Sequence, residues 1–490
     1  MTGLVIVLAA LPLAATVAAL FRAHARGAGY ALVAGATGSL VLTVVVLVHT
    51  TTTGSFTALS GFVYIDELSA FFLLTVGIVV LLASLGSAAY LRAEEASGDL
   101  NALQVRLYFG FFGGFAALML ASLTTGNLGM LFVLIEASTL ASAALVGLEA
   151  KSASLEAAWK YVIISSLGVT IALVGTLFLF YSSTGLHLTS NLSLTWPYLY
   201  QHAAQLSHPS LRLGFLLAVV GYGTKVGLAP MHTWLPDAHS EAPSPASAML
   251  SAALLNTGMY AIIRFLAIAR AGLGAAYVQH VMLAFGFLSV IIGVLFMVGQ
   301  GNFKRLFAYS SVEHMGIIAI ALGFGGPLGL YGALLHTLNH AVGKSVLFLS
   351  SGDVVLGYHT RESRRVRGLL TSLPLTGGVL LLASLAVLGS PPFGLFLSEL
   401  TIVRAGFASG NGWLPAVLLV FLVIAFIAFA RCTTGMVLGE PTGPAQPYRG
   451  TERLLAALPL VGGMGILLVL GLWIPHGLDT VILRSIGAVT

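Results

Sequence analysis

Apolar stretches of about 20 residues recur along the whole chain with only short breaks between them, and this pattern constrains the fold more than any other feature. A helix of that length crosses a hydrocarbon layer of roughly 30 Å. A water-soluble chain of 490 residues would need several separate cores, and it would carry about a quarter charged residues, whereas this one is 58% hydrophobic and 8% charged. The expected fold class is therefore an all-α polytopic membrane protein. Hydropathy places about fourteen spans near 3–21, 29–49, 67–91, 105–123, 126–148, 155–183, 211–232, 244–270, 277–299, 303–323, 328–357, 372–408, 412–438 and 454–474. The first charge is Arg22, after the opening apolar run, so the start lacks the basic region of a cleaved leader and reads as a retained helix.

Basic residues collect at cytoplasmic ends of membrane helices, which tests the count of spans and gives an orientation. Arg22, Arg26, Arg92, Arg106, Lys151, Lys160, Lys304, Arg305, Arg361, Arg364, Arg365, Arg367, Arg431, Arg449 and Arg453 fall on one side of the fourteen-span topology. Arg212, Arg264, Arg270, Arg404 and Arg484 fall on the other. The split puts both termini in the periplasm of a bacterial inner membrane. The formal charge of +5 is explained by this topology, since no basic run sits beside a nucleic-acid-reading pattern. A single cysteine, Cys432, excludes an intrachain disulfide and an all-cysteine iron–sulfur site, and no cofactor is expected.

Two of the 22 basic residues, Lys225 and Lys344, sit deep inside expected spans, as do Glu136, Glu313, His314, His336, His340 and Glu399. Each such group costs about 2.5–3.5 kcal/mol at a helix centre for Lys or Asp even on insertion scales, so each needs a reason. His336, His340 and Lys344 are spaced by four and share one helical face, as a water-lined proton relay requires. One buried histidine is as readily a packing residue as a functional one; three titratable groups on one stripe favour the relay. A metal site at the histidines is disfavoured because no carboxylate or thiolate stands at ligand spacing beside them in the sequence.

Two spans are interrupted. Pro230 lies five residues after Lys225 and should free the carbonyl of Val226, while Pro391 and Pro392 should free those of Val387 and Leu388 two turns before Glu399. Unwound backbone at membrane depth survives only where protein or water satisfies it, so the paired breaks mark an internal hydrated path. They divide the chain into an N-terminal segment 1–104, two five-helix blocks at 105–270 and 277–438, and a C-terminal part 439–490. The two blocks fit an inverted repeat.

The stretch GTKVGLAPMHTWLPDAHSEAPSPASAML at 223–250 resembles the signature of the antiporter-like subunits of respiratory complex I, group 4 membrane-bound hydrogenases and Mrp-type cation/proton antiporters. DELS at 66–69, KRLFAYSS at 304–311, HTLNHAVGKSVLFLSSG at 336–352 and GSPPFGLFLSE at 389–399 extend the likeness over roughly residues 60–410. VEHMG at 312–316 and the AHSEAPSP wording look most like component F of hydrogenase-4 and formate hydrogenlyase complexes.

The resemblance implies that Glu136 and Lys225 form an intramembrane ion pair in a first half-channel. It makes Lys344 a central relay extended by His336 and His340, and Glu399 the terminal site. Glu313 and His314 are further pathway candidates. Relatives often carry a titratable residue on helix eight, where this chain has Ser251 and Asn256, so any link there runs through hydroxyl, amide and water. The chain also lacks the long lateral helix of the largest complex I antiporter subunit, which argues against that subunit. The implied mechanism is electrostatic: separating the Glu136–Lys225 pair strands a desolvated charge and moves the proton on.

The expected role is a proton-translocating subunit beside other membrane subunits and a peripheral hydrogenase-like or dehydrogenase arm. A redox-independent cation/proton antiporter, the membrane half of an inorganic-carbon uptake system and a non-conducting anchor are the alternatives. No nucleotide loop is present, so ATP drive is not expected.

Overall fold

The computed structural model describes residues 1–20, 25–186, 193–410, 412–442, 448 and 451–489. The chain is helical almost throughout. The helices are α1 (Thr2–Leu20), α2 (Ala25–Thr53), α3 (Glu67–Ser97), α4 (Ala102–Ser122), α5 (Leu128–Val146), α6 (Ser152–Ser182), α7 (His208–Val226) and α8 (Trp234–Glu241). They continue with α9 (Ser244–Leu273), α10 (Ala275–Met297), α11 (Phe303–Phe324), α12 (Gly326–Tyr358), α13 (Pro374–Val387), α14 (Gly394–Ala408), α15 (Trp413–Val437), α16 (Thr451–Leu472) and α17 (His476–Gly487). One small antiparallel ribbon, Phe56–Ala58 with Val63–Ile65, caps the end of α2.

Among the described residues ten helices are long and apolar enough to cross a membrane. The other segments read as spans correspond to α1, to α7 with its interrupted end, to the polar α12, and to α13 with α14. Outward faces carry apolar stripes at four-residue spacing. Trp159, Ile163 and Leu167 of α6 are 66%, 62% and 63% exposed, an arrangement tolerable in lipid and costly in water. The centre of the bundle is inverted in character: α9 and α11 are buried along their apolar lengths, and α12 carries its polar groups inward.

Small residues let the central helices approach closely. A Cβ on Gly175 of α6 would stand 2.8 Å from the carbonyl oxygen of Gly214 on α7, and one on Gly316 of α11 would stand 2.8 Å from the carbonyl oxygen of Gly286 on α10. These contacts hold α6 along α7 and α10 along α11.

Helix ends are fixed by side chains. Asn101 and Gln104 form a capping box on α4, Asn127 caps α5, and Asn302 accepts from the amides of Lys304 and Arg305 at the start of α11. Asp66 caps α3 by accepting from Ser69 N, and its carboxylate also takes two hydrogen bonds from Arg264 of α9, at 2.8 and 2.5 Å. The guanidinium lies 3.9 Å over the Trp196 ring and donates to Ser69 Oγ at 2.8 Å. The DELS segment is thus the anchor of α3 on α9.

Three residues of the charge split are buried: Arg92, Arg264 and Lys304. Arg264 is fully enclosed by the Asp66 clamp, and Lys304 donates to the Ala242 carbonyl at 2.6 Å with only 2% of its surface exposed. Lys304 is the second residue of α11 and Arg264 lies nine residues before the end of α9, and for such long side chains hydropathy alone cannot tell an inward from an outward direction. Arg22 and Arg449, counted in the charge split, lie outside the described residues, as does the side chain of Arg26.

Candidate functional site: a buried polar axis

Both helix breaks form where the prolines placed them. α7 ends at Val226 with Gly227 in the left-handed region (φ 78°), and the chain resumes as helix at Trp234. The freed backbone is re-satisfied from outside: Trp234 Nε1 donates to the Thr224 carbonyl at 2.8 Å, and Ser289 Oγ accepts from Ala229 N at 2.9 Å. The second break separates α13 from α14. Gly389 there has φ +63°, and the Glu399 carboxylate folds back so closely that an added Cβ would collide with it. Only glycine fits both the backbone angle and the approach.

Glu399 is half-buried and borders a cavity of about 320 Å³ between α14 and α15, with Leu388, Phe396, Leu419 and Leu422 in its wall. The lining of this hollow is mainly apolar, unlike the hydrated path expected beside the second break.

The first group of charges is arranged around α6. Glu136 of α5 accepts from Ser166 Oγ of α6 at 2.5 Å and from Thr139 Oγ1 at 3.3 Å. Lys225, fully buried, donates to Tyr161 OH of α6 at 3.2 Å and lies 5.0 Å from the centre of that ring. Tyr161 OH is hydrogen-bonded to Ser142 Oγ of α5 at 2.7 Å.

The direct Glu136–Lys225 ion pair implied by the family likeness is therefore not formed, because α6 stands between the two helices and supplies its own hydroxyls to each charge. Glu136, Thr139 and Ser142 follow at three-residue spacing on one face of α5, and Tyr161 carries that polar stripe across to Lys225. The sequence contained this signal, a repeat of polar residues every three positions in an apolar helix. Tyr161 had no such signal of its own.

The second group is tighter. Lys344 Nζ donates to Ser310 Oγ at 2.7 Å and to the Phe307 carbonyl at 3.0 Å. Ser311, next to Ser310, is bonded to Ser251 at 2.8 Å. Ser251 lies in a five-residue π-helical bulge, Leu250–Leu254, within α9. The helix-eight position that lacks a titratable group is thus bonded to Ser311, whose hydroxyl also approaches the Phe307 carbonyl at 3.2 Å, the oxygen that accepts from Lys344. Asn256 is fully buried and turns its amide nitrogen onto the Ala252 carbonyl at 2.6 Å, leaving Oδ1 without a protein partner. Glu313 is buried on α11 and, among the described residues, makes no ion pair within 4 Å.

Beyond Lys344 the histidines line up. The His340 ring centre lies 5.3 Å from that of His314 with the rings tilted by 50°, and His314 Nδ1 is 3.0 Å from His336 Nε2. His336 Nδ1 lies 2.9 Å from Ser398 Oγ, the residue beside Glu399. Ring nitrogens can be donor or acceptor according to tautomer. Neither ring nitrogen of His340 has a hydrogen-bond partner among the described residues.

His314, His336 and Glu399 bring three atoms capable of binding a metal within 4.8 Å of one another. The linear spacing had placed no carboxylate beside the histidines; folding α14 against α12 supplies one. His239, fully buried 5.1 Å from Phe348 and also without a partner for either nitrogen, is a further polar residue on the axis that the hydropathy reading passed over. Its AHSE segment had been read only as a family word.

A broken-helix bundle with charges inside it in two groups, the second extended by imidazoles, defines an ion-conducting membrane subunit. The chain belongs to the NADH:quinone oxidoreductase/Mrp antiporter transmembrane family, whose model matches residues 125–427. It is 37% identical over 416 residues to a hydrogenase-4 component F homolog of Methylacidiphilum infernorum, covering 85% of this chain and 86% of that one.

Among solved structures it is similar to a chain of the membrane-bound sulfane sulfur reductase, an archaeal respiratory membrane complex. There the TM-score is 0.83 at 25% identity, over 99% of both chains. It is also similar to a chain of respiratory complex I from Thermus thermophilus, with TM-score 0.82 at 25% identity over 99% of this chain and 100% of that one. Both structural relatives are chains of multi-subunit membrane assemblies. The chain is a multi-pass integral membrane protein of this respiratory type.

Proposed function

We propose that this chain translocates protons across the inner membrane of a bacterium as one subunit of a redox-driven complex, most similar in role to component F of hydrogenase-4. The observation that carries the reading is the run His314–His336–Ser398 beside Glu399, a set of imidazoles and hydroxyls in hydrogen-bond contact at membrane depth. An imidazole can take a proton on one nitrogen and release it from the other, so such a run is a conductor with no redox chemistry of its own. Buried polar atoms without protein partners, on His340, Asn339 and Asn256, are positions that water would satisfy.

In this reading Glu136 and Lys225 load and release a proton in the first block, 105–270. The link to the second block, 277–438, runs through Ser251 and Ser311 to Lys344, and Glu399 is the exit site. The two blocks act as inverted repeats, each with one broken helix. The basic side faces the cytoplasm and both termini face the periplasm. The likeness to the hydrogenase-4 homolog favours a redox partner over a free-standing antiporter. Replacing Lys344 by Ala removes the central charge while leaving Ser310 and Phe307 in place. The expected outcome is loss of proton translocation in energised vesicles at normal subunit level. Unchanged translocation would remove Lys344 from the path.

A further inference from the structure

A cavity of about 570 Å³ opens between the end of α10, the 363–367 loop and the last turns of α15. Its polar rim is built from three arginines, Arg364, Arg367 and Arg431, and its wall from Val298, Ile424 and Ile427. The two halves differ sharply in chemistry. None of the three guanidiniums has a carboxylate within 4 Å among the described residues, although the neighbouring arginines do: Arg361 pairs with Glu241 at 2.6 Å and Arg365 with Glu362 at 2.7 Å. Among the described residues, three positive charges around one hollow thus have no carboxylate partner.

The apolar wall continues onto the outward face of the bundle. Val298 is 56% and Ile427 62% exposed, and Leu295, Phe296, Val420 and Val423 extend the strip along α10 and α15. Arg431 lies six residues, about 9 Å of helix, inside the end of α15 at Val437, so its guanidinium reaches the level where headgroups meet acyl chains.

We propose that this cavity is a binding site for an anionic phospholipid. The phosphate would be held by Arg364, Arg367 and Arg431 and the acyl chains would lie along the Val298–Ile424–Ile427 strip. Guanidinium matches phosphate in both charge and two-point geometry, and basic pockets between membrane helices select anionic headgroups on these grounds. A free phosphate would use the arginines but leave the apolar strip without a role. The volume lies within the usual range for a small-molecule site.

The chain's one cysteine, Cys432, lines the same cavity and serves as a reporter. The complex, purified with this chain intact, is placed in nanodiscs of phosphatidylcholine with or without phosphatidylglycerol of matched acyl chains, and the rate of Cys432 alkylation by uncharged N-ethylmaleimide is followed. Phosphatidylglycerol should slow alkylation about tenfold once its concentration is about ten times the dissociation constant. Inorganic phosphate should not.

The Arg364→Gln, Arg367→Gln, Arg431→Gln variant should lose the slowing, while Arg365→Gln, whose side chain already has a partner, should keep it. Native mass spectrometry should find phosphatidylglycerol retained through delipidation by the parent chain and lost from the triple variant. Equal alkylation in the two lipids would overturn the proposal, as would equal protection by inorganic phosphate. Protection by a neighbouring subunit regardless of lipid, the outcome expected if an acidic protein segment fills the groove, would also overturn it.

Discussion

His314 Nδ1 and His336 Nε2 stand 3.0 Å apart, joining α11 to α12 through two imidazoles that are both buried from solvent and lipid. A pair at that distance shares one proton between two nitrogens, so the groups act as a unit rather than as two independent carriers. His336→Gln retains a polar side chain toward His314 and Ser398 but cannot carry a proton. It should reduce translocation on the order of a hundredfold, the low end for a positioned proton-transfer group. Adding His314→Gln should cost little more, because the relay is already cut. Independent, additive losses in vesicle acidification assays would show that the contact is packing only.

The Asp66–Arg264 clamp makes a different prediction, about stability. Arg264 is fully buried and Asp66 nearly so, with two hydrogen bonds between them. Removing one partner strands a buried charge, at a cost of about 3–5 kcal/mol. Arg264→Leu should therefore lower the thermal unfolding midpoint of the detergent-purified chain markedly, whereas Arg264→Met with Asp66→Leu should recover most of the loss. An Arg264→Leu chain as stable as the parent would mean that the clamp is not what fixes α3 on α9.

Orientation can be checked at Arg365, which is exposed on the 363–367 loop with 69% of its side chain accessible. With Cys432 replaced by Ala, a cysteine at position 365 should be protected from an impermeant thiol reagent in intact cells and react once the membrane is opened. Ready labelling in intact cells would place this loop in the periplasm and reverse the topology.

The helical class, both breaks and the buried charges were legible because each leaves a local mark: apolar length, proline, or a charge inside an apolar run. What escaped were relations between helices. Nothing local marks α6 as the helix between Glu136 and Lys225, so Tyr161 looked like an ordinary aromatic and the two charges looked adjacent. Arg264 and Lys304 were counted to one side of the membrane or the other, because the sequence does not show whether a long basic side chain turns inward or outward. Glu399 and His336 are 63 positions apart in the chain, and only the packing of α14 on α12 brings them to one site.

Under the proposed function Glu136 and Lys225 work as one switch, coupled through the hydroxyls of α5 and α6 rather than by contact. Each charge alone would be costly at this depth. Glu136→Gln and Lys225→Ala should each abolish translocation, since either change leaves the other charge without its counterpart. A double-mutant cycle on proton translocation in energised vesicles, with partner turnover measured in parallel, tests this directly. The double variant should lose much less than the sum of the singles, and Tyr161→Phe should weaken the coupling by interrupting the Lys225–Tyr161–Ser142 link. Strict additivity of Glu136→Gln and Lys225→Ala, unaffected by Tyr161→Phe, would contradict it.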